Sequence, residues 1–287
     1  MNPKATKDLA QLQPDDLIKE VSLGLELVCD NVISLSEDAR FSCESARYRA
    51  GRILLAFAEE EAAKALILID AIRCPRNHPN HANHLGCFNE HLAKGIYVEY
   101  CRISPNTFGE AEKYIQRLRP DLYIDTDDYQ VWIGRNDILQ RREDLIYVSR
   151  VRASGKHSWN SPLFWPEDLR KMGCNVDVSA ILNLVGAMRR CGFMKEAALR
   201  EIARIWQPVV MNADFLIGGL EQLNFETLEA LNAAGLIEGS SGDDQIAVVH
   251  RWYYPLYSLN LSPIRVKPSE AEEWKEDQEA LNWEQLY

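Results

Sequence analysis

Four histidines and two cysteines fall within one short stretch: Cys74, His78, His81, His84, Cys87 and His91. Imidazole and thiol are the side chains of proton transfer, nucleophilic attack and zinc binding. The stretch holds enough donors for a tetrahedral zinc site, but no pair of cysteines has the two-residue spacing of a convincing structural one. The reading adopted is therefore no metal and no cofactor, with His78, His81 and His84 in a solvated polar loop, Cys74–Gly86. Just upstream, Ile53–Ile69 is apolar except for Glu59, Glu60, Glu61 and Lys64. Charges enter a core helix only with partners, because an unpaired buried charge is strongly destabilising. Glu60 and Lys64, four apart, are expected to bridge each other on a stripe with Ile53, Phe57 and Ile67. His91 and Lys94 share a face of the following helix, so Glu60 is expected to accept from one of them. The chemistry implied is proton transfer at His91, oriented by Glu60, with Lys64, Lys94 and an arginine stabilising anionic charge. A polar cluster that only fixes helix register uses the same residues.

Those residues need a scaffold, and the apolar periodicity supplies one. Leu17, Val21, Leu25, Val28, Val32 and Leu35 recur at helical steps after Pro14-Asp15-Asp16. A second helix runs from about Cys43 to Ile72, apolar nearly all round and so central. A third covers about Phe88–Ile103. Thr107 and Glu110 form a capping box before Ala111–Leu118, and a further helical stretch runs from about Asp127 to Tyr147. The expected fold is mainly α, an antiparallel helical bundle over residues 1–153. Residues 154–176 read as a linker or packed strap. Residues 177–268 read as a second, mostly helical module with a short β-hairpin, its strand at Ile246–Val249 after a Ser240–Asp244 turn. That order resembles the end of a winged helix. The helix entering it carries Glu226 and Glu229 and no base, which excludes DNA reading. Arg141 and Arg142 before Tyr147 place phosphate-binding and base-stacking groups together, as an RNA contact requires.

Net charge is −11 over 287 residues. The tail, residues 269–287, holds seven acids against Lys275 and carries −6 of it. A nucleic-acid coat protein is excluded. No apolar run is long enough to span a bilayer and the polar N-terminus is no signal peptide. Seven irregularly spaced cysteines suit reduced thiols, so a cytoplasmic protein is expected.

Three segments resemble a known family. Glu60-Glu61-Ala62-Ala63-Lys64-Ala65, entered by an apolar run, is similar to the Glu-Glu-x-Gly-Lys-Ala helix of AbiV-type abortive-infection proteins. Phe88-Asn89-Glu90-His91-Leu92-Ala93-Lys94 resembles that family's Phe-x-x-His-x-x-Lys segment, and Leu145-Ile146-Tyr147-Val148 its Leu-Tyr-Val-Asp segment. The order and approximate spacing agree over residues 20–150. Ala63 stands where the family has glycine, and Ser149 stands where it has aspartate, which removes that carboxylate here. The resemblance implies a HEPN-like helical bundle, a homodimer, and an antiphage effector acting on RNA or the translation machinery, with a phage protein as trigger. Many HEPN proteins are metal-independent ribonucleases with four to six residues between an arginine and a following histidine. Arg73 with His78, and Arg76 with His81, have that interval, both at the loop. The alternative is a non-catalytic interaction protein that senses a phage product, its charged cluster structural.

Overall fold

The computed structural model describes residues 5–121, 136–153, 156–162, 174–237 and 239–266; the acidic tail and residues 127–135 of the helical stretch expected from Asp127 lie outside them. The chain is mainly helical. Helix α1, Pro14–Glu44, opens with Pro14 in its first turn and Asp15 and Asp16 at its positive end. It buries one stripe, Leu17, Val21, Leu25, Val28 and Val32, against α2, Tyr48–Arg73. The two run antiparallel around a tight turn in which Ala46 takes the left-handed conformation, φ 57°. Ala58, Ala62, Ala63 and Ala65 of α2 are fully buried. Their small side chains let α2 pack at once against α1, against α4, His91–Tyr100, and against α7 and α8, Ala180–Arg190 and Glu196–Trp206.

The remaining helices are α3, His81–Gly86, α5, Phe108–Leu118, α6, Asp137–Ile146, α9, Ile217–Ala233, and α10, Gly242–Arg251. At α5 the expected cap forms, with Thr107 Oγ1 accepting from the Glu110 amide at 3.1 Å; the Glu110 carboxylate reaches back one residue further, to the Asn106 amide. Residues of the two expected modules line one continuous apolar core that includes Leu25, Ile67, Ile96, Met188, Trp206 and Tyr254. No helix among the described residues is long and apolar enough to cross a membrane.

The strand expected at Ile246–Val249 is helix α10. Ser241 and Asp244 form a reciprocal capping box, which satisfies the first free amides of a helix and starts one where a turn and strand were read. Asn224 of α9 then donates Nδ2 to the Val249 and Trp252 carbonyls at the end of α10. The antiparallel hairpin lies instead at β2, Ser149–Ala153, and β3, Lys156–Asn160, so it begins in the first expected module and enters the expected linker. A short parallel pair joins β1, Pro120–Asp121, to β4, Ile264–Arg265.

The histidine loop is also corrected. His81 and His84 are buried on α3, each 3% exposed, and set their Nε2 atoms against the Ala71 and Ile67 carbonyls of α2 at 3.2 and 3.0 Å. The Ala71 carbonyl lies in the last turn of α2 with Pro75 four residues on, so no backbone amide serves it and a neutral imidazole supplies the donor. The arginines preceding these histidines are equally committed. Arg73 is buried with Asp70, and Arg76 donates to the Ala10 and Leu12 carbonyls. Among the described residues no group of three or more His, Cys, Asp or Glu is placed to hold a metal ion. Cys43 and Cys174 form a disulfide, Cα–Cα 5.8 Å, so the reading of wholly reduced thiols fails at this pair.

Burial pushes the His81 imidazole down to about 4, and that of His84 down as well. In the unfolded chain both titrate near 6.5. Between those values the unfolded chain binds more protons, so stability is full above about pH 6.5 and falls as the pH drops toward 4. His81 alone should remove about 2 kcal/mol between pH 7 and pH 5. Urea midpoints of the wild type and His81→Gln measured at both pH values test this. Equal losses in the two proteins would refute the assignment.

Candidate functional site

Consecutive carboxylates of α2 face one cleft of about 450 Å³ between α2, α4, α6 and the segment Asn175–Ser179. Glu60 is the hub. It accepts from His91 Nδ1 at 2.9 Å, Lys94 Nζ at 2.7 Å and Arg142 Nε at 2.8 Å. Burial raises the affinity of its carboxyl for a proton, but the hydrogen bonds and charges of Lys94 and His91 outweigh that and hold its pKa below the ordinary value. Glu59 behaves oppositely. Burial raises its pKa, against the Ser179 hydroxyl, which donates to it at 2.8 Å, and the Arg102 guanidinium 3.6 Å away. Further along the wall Glu99 pairs with Arg102 at 2.9 Å and with Arg141 at 3.2 Å, and Arg141 reaches Asp137.

Local structure explains why these groups meet. Asn136 caps α6, accepting from the Ile138 and Leu139 amides, while its Nδ2 donates to the Leu118 and Pro120 carbonyls. The start of α6 is thereby tied to the end of α5. Gly95 lets α6 approach α4, since a Cβ there would fall on the Ile138 side chain. Arg49 of α2 donates to the Ile146 carbonyl at the other end of α6. The helix that carries Arg141 and Arg142 is therefore held at both ends.

Of the residues expected from sequence, Glu60, His91, Lys94 and Arg142 come together as one cluster. Arg141 lines the same cleft one turn away, more than half exposed. Lys64 does not join. It pairs with Glu61 and lies over the Phe88 ring, 5.1 Å from its centroid. Both i,i+3 and i,i+4 neighbours were within its reach; the three donors from α4 and α6 occupy Glu60. Tyr147 follows the last residue of α6 and is exposed, outside the cleft lining.

Sequence reasoning missed Glu59, Glu99, Arg102 and Ser179. The second and third were accessible, since His91, Gly95, Val98 and Arg102 step by four, three and four, and Glu99 adjoins that stripe. Ser179 had no signal, because nothing local marks a serine 120 residues from its partner.

The cleft can hold an anion. Arg52, Arg102, Arg141, Arg142 and His91 line it against Glu59, Glu60 and Glu99, over an apolar floor of Leu55, Val98, Ile138 and Leu145. Glu60 takes His91 by Nδ1, so Nε2 is the nitrogen left for a substrate proton. The ring sits at the rim with its side chain 45% exposed. Compared with known proteins, the chain matches no family model, no curated relative and no solved structure.

Proposed function

We propose that this chain is a HEPN-type antiphage effector that acts on RNA, as a metal-independent endoribonuclease in the cytoplasm of the infected cell. The observation that carries the reading is the Glu60–His91 pair beside Arg142. A carboxylate on Nδ1 fixes the imidazole tautomer and leaves Nε2 to take a proton from a ribose 2′-hydroxyl. Arg142 and Arg141 supply donors for the charge that develops on phosphate. The apolar floor accommodates a base or sugar face. The defence role and the homodimer come from the resemblance to AbiV-type proteins.

The test is expression in a bacterial host with total RNA examined during growth arrest. His91→Ala should reduce cleavage by about 10²- to 10⁴-fold, and Arg142→Gln should do so by a comparable margin. Thermal stability of His91→Ala should change little, because the side chain is half exposed. Intact RNA during arrest by the wild type would overturn the reading.

One observation favours a second reading. Glu60 is saturated by three donors, and Lys94 is only 5% exposed. That is the arrangement of a polar cluster that fixes helix packing. Under this reading the chain is a non-catalytic interaction protein that senses a phage product. It predicts arrest without RNA cleavage, unaffected by His91→Ala.

A further inference from the structure

A second cavity, about 700 Å³, lies between α1 and α7 on the other side of the segment Asn175–Ser179. Its floor is apolar, built from Val32, Ile33, Val176, Leu182, Val185 and Leu236. Four bases, Arg40, Arg189, Arg190 and Lys195, line it against two acids, Glu37 and Asp177. Arg40 is paired with Asp177, Arg189 with Asp30 and Arg190 with Asp244. Those pairs leave two donors over. Arg189 Nη1 is buried with no hydrogen-bond partner, and no carboxylate among the described residues pairs with Lys195. A buried donor without a partner is costly, so an arrangement that turns the Arg189 guanidinium toward an acceptor in the groove gains that energy on binding. The volume lies in the range of small-molecule sites, which combine an apolar wall with a few placed polar groups.

The wall between the two cavities is shared. Asn175, Val178 and Ser179 line the α2–α4–α6 cleft, whereas Val176 and Asp177 line the α1–α7 groove. The segment is a single 3₁₀ turn, Val176–Val178, anchored by the Cys43–Cys174 disulfide at one end and by the Ser179–Glu59 hydrogen bond at the other. A ligand seated against Val176 and Asp177 therefore presses on the residues that hold Glu59.

We propose that the α1–α7 groove is a binding site for a small organic anion with an apolar body, and that its occupancy is transmitted to the neighbouring cleft through residues 175–179. The acid group pairs with Arg189 and Lys195, and the body covers Val32, Leu182 and Val185. Neither statement depends on the reaction assigned to the cleft. Coupling of this kind requires only that the ligand bind one arrangement of the shared wall better than another.

The probe is 1-anilinonaphthalene-8-sulfonate, an aromatic sulfonate whose fluorescence rises in apolar sites, titrated into the full chain. One saturable site is expected. Arg189→Gln, which disturbs only a half-exposed ion pair otherwise, should weaken it at least tenfold, as should Ser36→Phe, which fills the groove from α1. Arg142→Gln in the other cleft should leave it unchanged. Inorganic phosphate, which lacks the apolar body, should not compete. Hydrogen exchange of amides 175–179 should slow with the probe in the wild type and not in Arg189→Gln. Binding that survives both groove variants, or that is lost in Arg142→Gln, would overturn the site. Unaltered exchange at 175–179 with the groove saturated would overturn the coupling. Circular dichroism of each variant separates these outcomes from loss of fold.

Discussion

Asp70→Asn is expected to lower the stability of this chain by about 3–5 kcal/mol, the cost of leaving a buried charge without its partner. Arg73 is 1% exposed, and Asp70 2%. Arg73 donates Nε and Nη2 to Asp70 Oδ1, at 3.0 and 2.7 Å, and both Nη atoms to the Tyr253 carbonyl. Its guanidinium lies 4.4 Å from the Trp206 ring centroid and 4.5 Å from that of Trp252, which suits a flat, weakly hydrated cation. The other oxygen of Asp70 accepts from the Tyr97 hydroxyl and the Leu256 amide. One ion pair thus joins α2, α4, α8 and the chain after α10. The variant retains an acceptor but loses the charge that faces the buried Arg73 guanidinium. A melting temperature lower by roughly 10 °C is expected. Asp70→Asn with Arg73→Met should recover most of the loss, because a thioether packs well against two indoles and no charge remains buried. A single variant costing less than about 1 kcal/mol would show that the pair behaves like a surface bridge.

The second large effect is expected at Glu60. Glu60→Ala strands Lys94, and by the measure of broken buried pairs should cost about 2–4 kcal/mol. His91 and Arg142 are more exposed and recover water, so most of the penalty belongs to Lys94. The cycle of Glu60→Ala, Lys94→Met and the double variant should return a coupling energy of about 1–3 kcal/mol. The pH dependence has a definite sign. The Glu60 carboxyl titrates below its ordinary value in the folded chain, so its contribution is full above about pH 4.5 and is lost as the pH falls through the folded value. Denaturant midpoints in a pH series, compared with Glu60→Ala, measure it. An additive cycle would mean that Glu60 and Lys94 do not share a proton-coupled bond.

These two clusters differ in how legible they were. The Glu60–His91–Lys94 grouping followed from helical stepping and the adjacency of antiparallel neighbours, both short-range properties. The Lys64 assignment failed because stepping admits two partners, Glu60 and Glu61, and only the arrival of Arg142 from 82 residues away decides between them. Arg73 read as half of an arginine–histidine pair, since its spacing to His78 is visible and its packing against Trp206 and Trp252 is not. His81 and His84 read as solvated because a polar loop ordinarily is; burial on α3 against the Ala71 and Ile67 carbonyls of α2 reverses that. The strand expected at Ile246–Val249 failed for a local reason. β-branched residues favour a strand only weakly, and the Ser241–Asp244 cap outweighs them.

Helices α1, α2, α4 and α5 were legible in local pattern, because period, caps and proline positions act within a few residues of each other. The sequence by itself also determined that α2 is central, since a helix apolar nearly all round has no stable place at a surface. Tertiary structure alone decided which charges face which. Ion pairs depend on where side chains from distant segments end, and neither Ser179 on Glu59 nor Arg142 on Glu60 is encoded in local pattern. It alone decided that residues 175–179 separate two cavities, because a wall is a relation between the helices packed on either side of it and not a property of the five residues that form it.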